Sequence, residues 1–427
     1  MRFGPLSPND PTVVMAALPD PDRFRFPDEP DAVELRAFTH GLQPATVPEM
    51  MEHFTEDWRR FGVDAWNEVP NHWRPESGDT VGWWTLPTYL GDEFVAPLLG
   101  APDGTCILQP NVHWTLQCLL SAPELRDRGS EVVVLDSAFP SLLHSAQQWS
   151  DLSGLAPRLV PAPDAGPPDA DALLDAVSDE TALVALSHVG FTTGARVPDE
   201  TLRRLAEQAH AHDALLLLDG YHAAGSMPVD VLDLGCDLYV GGLLKEACGS
   251  SGNTYLYVRD GLELTPKLTG WFGDAAPFEF REQPEPHPDV RRRFLGGTTA
   301  VAPMYHAVEG TRLLLDHGLE AVRAHSLALT SVALERADAA GLSLRSPRPP
   351  ESRSAMVVLE VPEAEKLVDH LKAQAIYTDS RRNAVLRMAP FLWNTEAEVH
   401  RTFDGIEAAL ESGGYRDQTV SSTGPVT

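Results

Sequence analysis

The run Ala214-Leu215-Leu216-Leu217-Leu218 stops abruptly at Asp219, and that stop constrains everything around it. An unbroken apolar run of this length specifies a strand buried on both faces, as in a parallel sheet covered by helices on each side. Asp219 then stands at the carboxyl end of that strand, where open α/β sheets receive their ligands. Tyr221, His222 and Gly225 follow it. A second short strand, Asp237-Leu238-Tyr239-Val240, runs into Gly241-Gly242, then Lys245, then the turn Gly249-Ser250-Ser251-Gly252. Adjacent strand ends bring Asp219 and Lys245 to one cleft.

On residue types alone, this pair has two readings. One is a structural ion pair, since such networks also perturb charge. The other is a pyridoxal phosphate (PLP) site. There a lysine amine forms a Schiff base with the cofactor aldehyde, and an acid pairs with the pyridinium nitrogen so that the ring accepts electrons.

The surrounding pattern is α/β. The runs Glu131–Asp136 (EVVVLD), Thr181–Ser187 (TALVALS) and Thr254–Val258 read as buried strands, and strands alternate with helices from about Thr105 to Val258. That alternation predicts a mostly parallel sheet. Leu108-Gln109-Pro110-Asn111-Val112-His113 precedes the apolar helix WTLQCLLSA. The free N–H groups at such a helix start favour an anion. Val47–Trp58 reads as a helix with a core stripe of Met50, Phe54 and Trp58, and Leu86–Ala101 as the start of another. The expected organisation is an N-terminal arm (1–45), a large domain (46–317), a smaller α+β C-terminal domain (318–413) and a disordered tail (414–427).

A formal net charge of −29, from 62 acids against 33 bases, argues against a nucleic-acid binder, which needs a basic footprint. Cys106, Cys118, Cys236 and Cys248 show no CxxC pair and no metal spacing, so they read as free core thiols of a reducing cytoplasm. No apolar run approaches the 18 residues of a membrane span, and no N-terminal signal is evident. The expected location is therefore cytoplasmic. His210 and His212 fall at a helix end, where solvated histidines are common, and are read as such and not as metal ligands.

The ordered set Phe139-Pro140-Ser141, Asp219-x-x-His222, Lys245, Trp271, Thr298 and Arg387 resembles the fold-type I PLP enzymes of the class V aminotransferase group, and within it kynureninase, over roughly residues 35–410. The resemblance implies a cradle for the phosphate at Leu108 and Gln109. It implies Phe139 stacked on the cofactor ring, and Ser141, Ser187 and His222 beside the cofactor. It implies that Asp219 pairs with the ring nitrogen and that Lys245 is the catalytic Schiff-base lysine. It further implies that Trp271 reaches the phosphate side and that Thr298 lies on a loop that crosses to a partner subunit, in a homodimer with shared sites. Arg387 matches the arginine that binds the substrate α-carboxylate, a role suited to its planar fork.

Three polar positions depart from the kynureninase pattern. Leu244 stands where a tyrosine precedes the lysine, Leu142 where the F-P-S/T-D loop has its acid, and Asp274 where G-W-x-G-H has its histidine. The expectation is a PLP enzyme acting on an α-amino acid or amino-acid conjugate. Its chemistry has moved to β-elimination at a C–S bond, transamination or decarboxylative deamination, as in tailoring a secondary metabolite. The alternative is true kynureninase, hydrolysing kynurenine to anthranilate and alanine. A catalytically dead binding relative has no need of Lys245, Asp219 and Arg387 together.

Overall fold

The computed structural model describes residues 24–25 and 31–417. Most of the expected N-terminal arm before Asp31, and positions 418–427 of the expected tail, lie outside the described residues.

Seven strands form the central sheet: β1 (Cys106–Gln109), β2 (Glu131–Leu135), β3 (Ala156–Val160), β4 (Thr181–Ser187), β5 (Leu215–Asp219), β6 (Leu238–Gly242) and β7 (Thr254–Val258). Their order across the sheet is β1-β7-β6-β5-β4-β2-β3. All neighbours are parallel except β7, which runs antiparallel to both β6 and β1. Every residue of β4, β5, β6 and β7 is buried, as their unalternating apolar runs require.

Register decides which residues meet at the sheet's functional edge. Asp219 pairs with Ser187 on one side and Val240 on the other. Gly242 pairs with Thr254, which pairs with Gln109. Gly242 has a specific reason to lack a side chain: a Cβ there would lie 2.1 Å from the Tyr221 ring.

Helix α1 spans Val47–Phe61, α2 Val112–Leu120, α3 Pro140–Ser153 and α4 Asp199–Ala211. The α1 stripe differs from expectation. Met50 is buried, but Trp58 is 63% exposed. Asp57 takes the inward position instead, held by His72 Nε2 at 2.8 Å and the Tyr305 hydroxyl at 2.6 Å. The Leu86–Ala101 helix is interrupted: Gly91–Val95 widens into a π turn. There Gly91 lies against β1, where a Cβ would come within 2.4 Å of the Cys106 carbonyl oxygen.

The second domain packs α5 (Leu319–Ala339), α6 (Ala364–Lys372) and α7 (Glu396–Ser412) with a three-stranded antiparallel sheet. Its strands are β8 (Val357–Glu360), β9 (Asp379–Arg381) and β10 (Val385–Met388), in the order β8-β10-β9. Val33–Glu34 pairs parallel with Ile376–Tyr377, and Val33 and Leu35 join the apolar core of this domain. Gly414–Asp417 forms a 3-10 turn that buries Tyr415 in the same core. All four cysteines are buried and free, and no helix among the described residues is long and apolar enough to cross a membrane.

Candidate active site

A cavity of about 350 Å³ opens at the carboxyl end of the large sheet, closed on one side by the second domain. Phe139, Ser141, Ser187, Asp219, His222, Lys245 and Arg387, all singled out from sequence, line it together. Leu244 lines it too.

Lys245 follows β6 and is half-buried among chemistry-bearing groups. Its Nζ lies 2.9 Å from His222 Nε2, 4.5 Å from the centre of the Tyr221 ring and 5.6 Å from that of Phe139. Burial lowers its pKa, while Glu246 and Asp219 oppose that shift and Arg387 and Arg381 add to it. The amine is therefore more readily available as a neutral nucleophile and base than an exposed lysine. His222 is held neutral: burial is the main cause, and Lys245, Arg387 and Arg381 push the same way. Asp219 is pushed up by burial and held back by the bond its Oδ1 accepts from the Tyr221 amide (3.1 Å) and by Lys245.

At another wall stands the start of α2. Asn111 caps it by accepting a hydrogen bond from the Trp114 amide at 2.7 Å, and Asn111, Val112 and His113 face the cavity. Thr254 lines the cavity beside them. Leu108 and Gln109 do not line it. Leu108 is in the apolar core, and Gln109 is buried across from Thr254 with both amide atoms lacking a partner in the chain.

Arg387, which lines the same cavity, is 2% exposed. Its Nη2 donates to Asp379 Oδ2 at 2.5 Å and its Nη1 to the Phe191 carbonyl at 2.7 Å, while Nε is buried without a partner. The guanidinium lies 4.6 Å from the Phe38 ring centre. Asp379 also accepts from Arg381 at 2.5 Å and Thr39 Oγ1 at 3.1 Å, so one carboxylate orients two arginines. Burial lowers Arg387 to about 10, which leaves it charged at neutral pH.

Trp271 and Thr298 are not brought to this cavity within the chain. Trp271 is 39% exposed and stacks on Trp84 and Phe280, and Thr298 is exposed. Their two loops pack on each other: a Cβ on Gly270 would lie 2.3 Å from the Gly296 carbonyl oxygen. His210 and His212 take separate carboxylates, Asp237 and Asp179.

Sequence reasoning gave no role to Asp379 or Glu246. Glu246 had a legible signal, a charge inside the small-residue and apolar run Leu243–Gly252. Asp379 had none, because what it orients depends on the pairing of β9 with β10.

A mostly parallel sheet of this order, a lysine beyond one central strand and an acid ending the next define a PLP-dependent enzyme of fold type I. Solved structures agree on the fold. A cysteine desulfurase from Thermococcus onnurineus NA1 superposes with a TM-score of 0.74 at 19% identity, covering 90% of this chain and 95% of its own. C-DES with glycine covalently linked to its PLP cofactor gives 0.76 at 20%, covering 91% and 99%.

The chain belongs to the class-V aminotransferase family, whose model matches residues 114–388. A kynureninase of Burkholderia pseudomallei (strain K96243) is 29% identical over 425 residues, covering 95% of this chain and 96% of its own. The uncharacterized aminotransferase YcbU of Bacillus subtilis (strain 168) is 30% identical over 322 residues, covering 75% and 83%.

Proposed function

We propose that this class V PLP enzyme is a lyase that cleaves the Cβ–S bond of an S-substituted cysteine or cysteine conjugate. The observation that carries the reading is Leu244, which lines the cavity beside Lys245 where the kynureninase resemblance has a proton-donating tyrosine.

The residues present fit the cofactor. Lys245 would hold its aldehyde and Asp219 its ring nitrogen. Phe139 would cover the ring, with Ser141, Ser187 and His222 beside it. The N-terminus of α2, with Thr254 and the partnerless amide of Gln109 behind it, suits a phosphate. When bound, PLP withdraws electrons from the substrate Cα. The chain's own groups supply the rest. Arg387 offers its free Nε to the α-carboxylate. Lys245 Nζ takes the Cα proton. Phe38, Val189, Phe191 and Leu244 keep water from the reacting carbon.

Hydrolysis of a Cβ–Cγ bond needs a proton delivered to the leaving fragment. A thiolate leaves without one, because thiols ionise near neutral pH. Cleavage of R–S–CH2–CH(NH2)–COOH with one water gives R–SH, pyruvate and ammonia, which balances with no added oxidant or reductant. Such a change of chemistry on a kept cofactor site suits the tailoring of a secondary metabolite in the cytoplasm. The packed loops bearing Trp271 and Thr298 are proposed to complete the site of a second copy in a homodimer.

Kynureninase itself is the second reading, favoured by the end-to-end match at 29% identity. The PLP-loaded protein is assayed in parallel with an S-aryl-L-cysteine and with L-kynurenine. The expected result is thiol and pyruvate at a rate about 100-fold or more above anthranilate release, the scale on which one general acid acts. Anthranilate and alanine as the faster products overturn the lyase reading. A keto acid retaining the sulfur also overturns it, in favour of transamination, and loss of CO2 favours decarboxylative deamination.

A further inference from the structure

Lys245 is followed by a charged residue that the lyase reading leaves unused. Glu246 is 2% exposed, and its Oε2 is buried with no hydrogen-bond partner in the chain. Its Oε1 lies 3.9 Å from His222 Nδ1, which is also buried and partnerless. The other nitrogen of that imidazole, Nε2, is the atom 2.9 Å from Lys245 Nζ. Glu246, His222 and Lys245 thus form a line, with the Glu246–His222 joint open by slightly more than a hydrogen bond. A small turn of the carboxyl or one bridging water closes that gap.

A purely structural role explains this poorly. Among the described residues no arginine pairs with Glu246, and a buried carboxyl oxygen without a hydrogen bond costs stability. Each end of the line is also poised. Burial raises Glu246 and Lys245 opposes it, while burial lowers Lys245 and Glu246 opposes that. The two groups are therefore set to share one proton.

We propose that Glu246 is a positioning residue that stores the site's mobile proton and passes it to and from Lys245 through His222. The proposal rests on Lys245 being the cofactor lysine. In the loading direction, the Glu246 carboxyl gives its proton to His222 Nδ1 while His222 Nε2–H gives its own to the Lys245 amine. The result is a carboxylate, an imidazole of the other tautomer and an ammonium. One proton has moved, and no electrons. In the reverse direction, the proton that Lys245 takes from Cα is stored on Glu246, which frees the amine again.

The fields at these groups are few. Lys245 is faced by the carboxylates of Glu246 and Asp219 and by the guanidiniums of Arg387 and Arg381. His222 is faced by Lys245 and the same two arginines. Glu246 is faced by Lys245, the Tyr221 phenol and the Cys248 thiol.

The test compares PLP-loaded wild type with Glu246→Gln. A neighbouring anion favours the protonated nitrogen, so its loss is expected to move the visible band's protonation midpoint down by about one pH unit. Exchange of the substrate Cα proton with solvent deuterium is expected to slow, kcat to fall with KM unchanged, and Glu246→Asp to restore part of both. An unmoved midpoint with unchanged exchange overturns the proposal and leaves the lyase reading standing. If Glu246→Gln does not fold, infrared titration of the wild type decides. A protonated-carboxyl band that fades through the visible midpoint supports the relay, and no such band overturns it. A wild type that gains no visible band with PLP overturns the Lys245 assignment, and the relay with it.

Discussion

Lys245→Ala is expected to fold, to bind PLP without the Schiff-base band of the wild type, and to lose at least ~10⁴-fold in kcat/KM. The size follows from two roles in one atom. On the proposed reading Nζ is both the nucleophile that holds the cofactor and the base that moves the Cα proton, and general acid–base work alone contributes about 10²–10⁴-fold. No other amine replaces it: Lys245 is the lysine among the residues that line the cavity. Folding is expected to survive because burial already disfavours the charged amine, so truncation removes a group that the interior solvates poorly. Visible absorption and near-UV dichroism of the loaded variant check the first two expectations. Partial recovery of turnover on adding a small primary amine would separate the lost chemistry from lost structure. A variant that keeps the band or turns substrate over at near wild-type rate would refute the assignment of Lys245.

The large domain was legible because buried strands leave a strong signature. Leu215–Asp219, Thr181–Ser187 and Glu131–Leu135 are apolar runs too short and too β-branched or Leu-rich to be anything but interior strands once helices flank them. Placing functional residues at the ends of such strands needs only strand length, and Ser187, Asp219 and Lys245 came together accordingly.

What was not legible depends on how turns aim side chains after a strand ends. Leu108 and Gln109, expected to cradle the phosphate ahead of a helix, sit on β1, but the residues that face the cavity are Asn111, Val112 and His113, just beyond it. Trp58 fitted a helical stripe, but the buried network of Asp57, His72 and Tyr305 turned the helix to a different face. Thr39 and Asp379 meet across 340 residues of chain, a contact no local pattern encodes. Trp271 and Thr298 are a further case. Their loops form one exposed unit, and its place in a site is a question about two chains, not one.

Arg387→Ala is the second large expected effect, and it differs in kind from loss of Lys245. The visible band of the loaded protein should remain, because Arg387 is bonded to Asp379 and the Phe191 carbonyl and not to Lys245. Substrate binding should suffer. Truncating one partner of a buried, hydrogen-bonded charge pair costs about 2–5 kcal/mol, so kcat/KM should fall by roughly 30-fold to several thousand-fold, mostly through KM. The fold should tolerate the change better than most losses of a buried ion pair, because Asp379 keeps Arg381 and Thr39 as partners and is not left uncompensated.

Arg387→Lys keeps the charge but not the planar fork, and its ammonium cannot hold Asp379, the Phe191 carbonyl and a carboxylate in one plane. It should therefore recover only part of the loss. Spectral titration with substrate, scored by the concentration that half-converts the visible band, measures this directly and without turnover. Should Arg387→Ala leave that concentration unchanged, the substrate carboxylate is bound elsewhere. Arg381, the other arginine on Asp379 that lines the cavity, becomes the next residue to truncate.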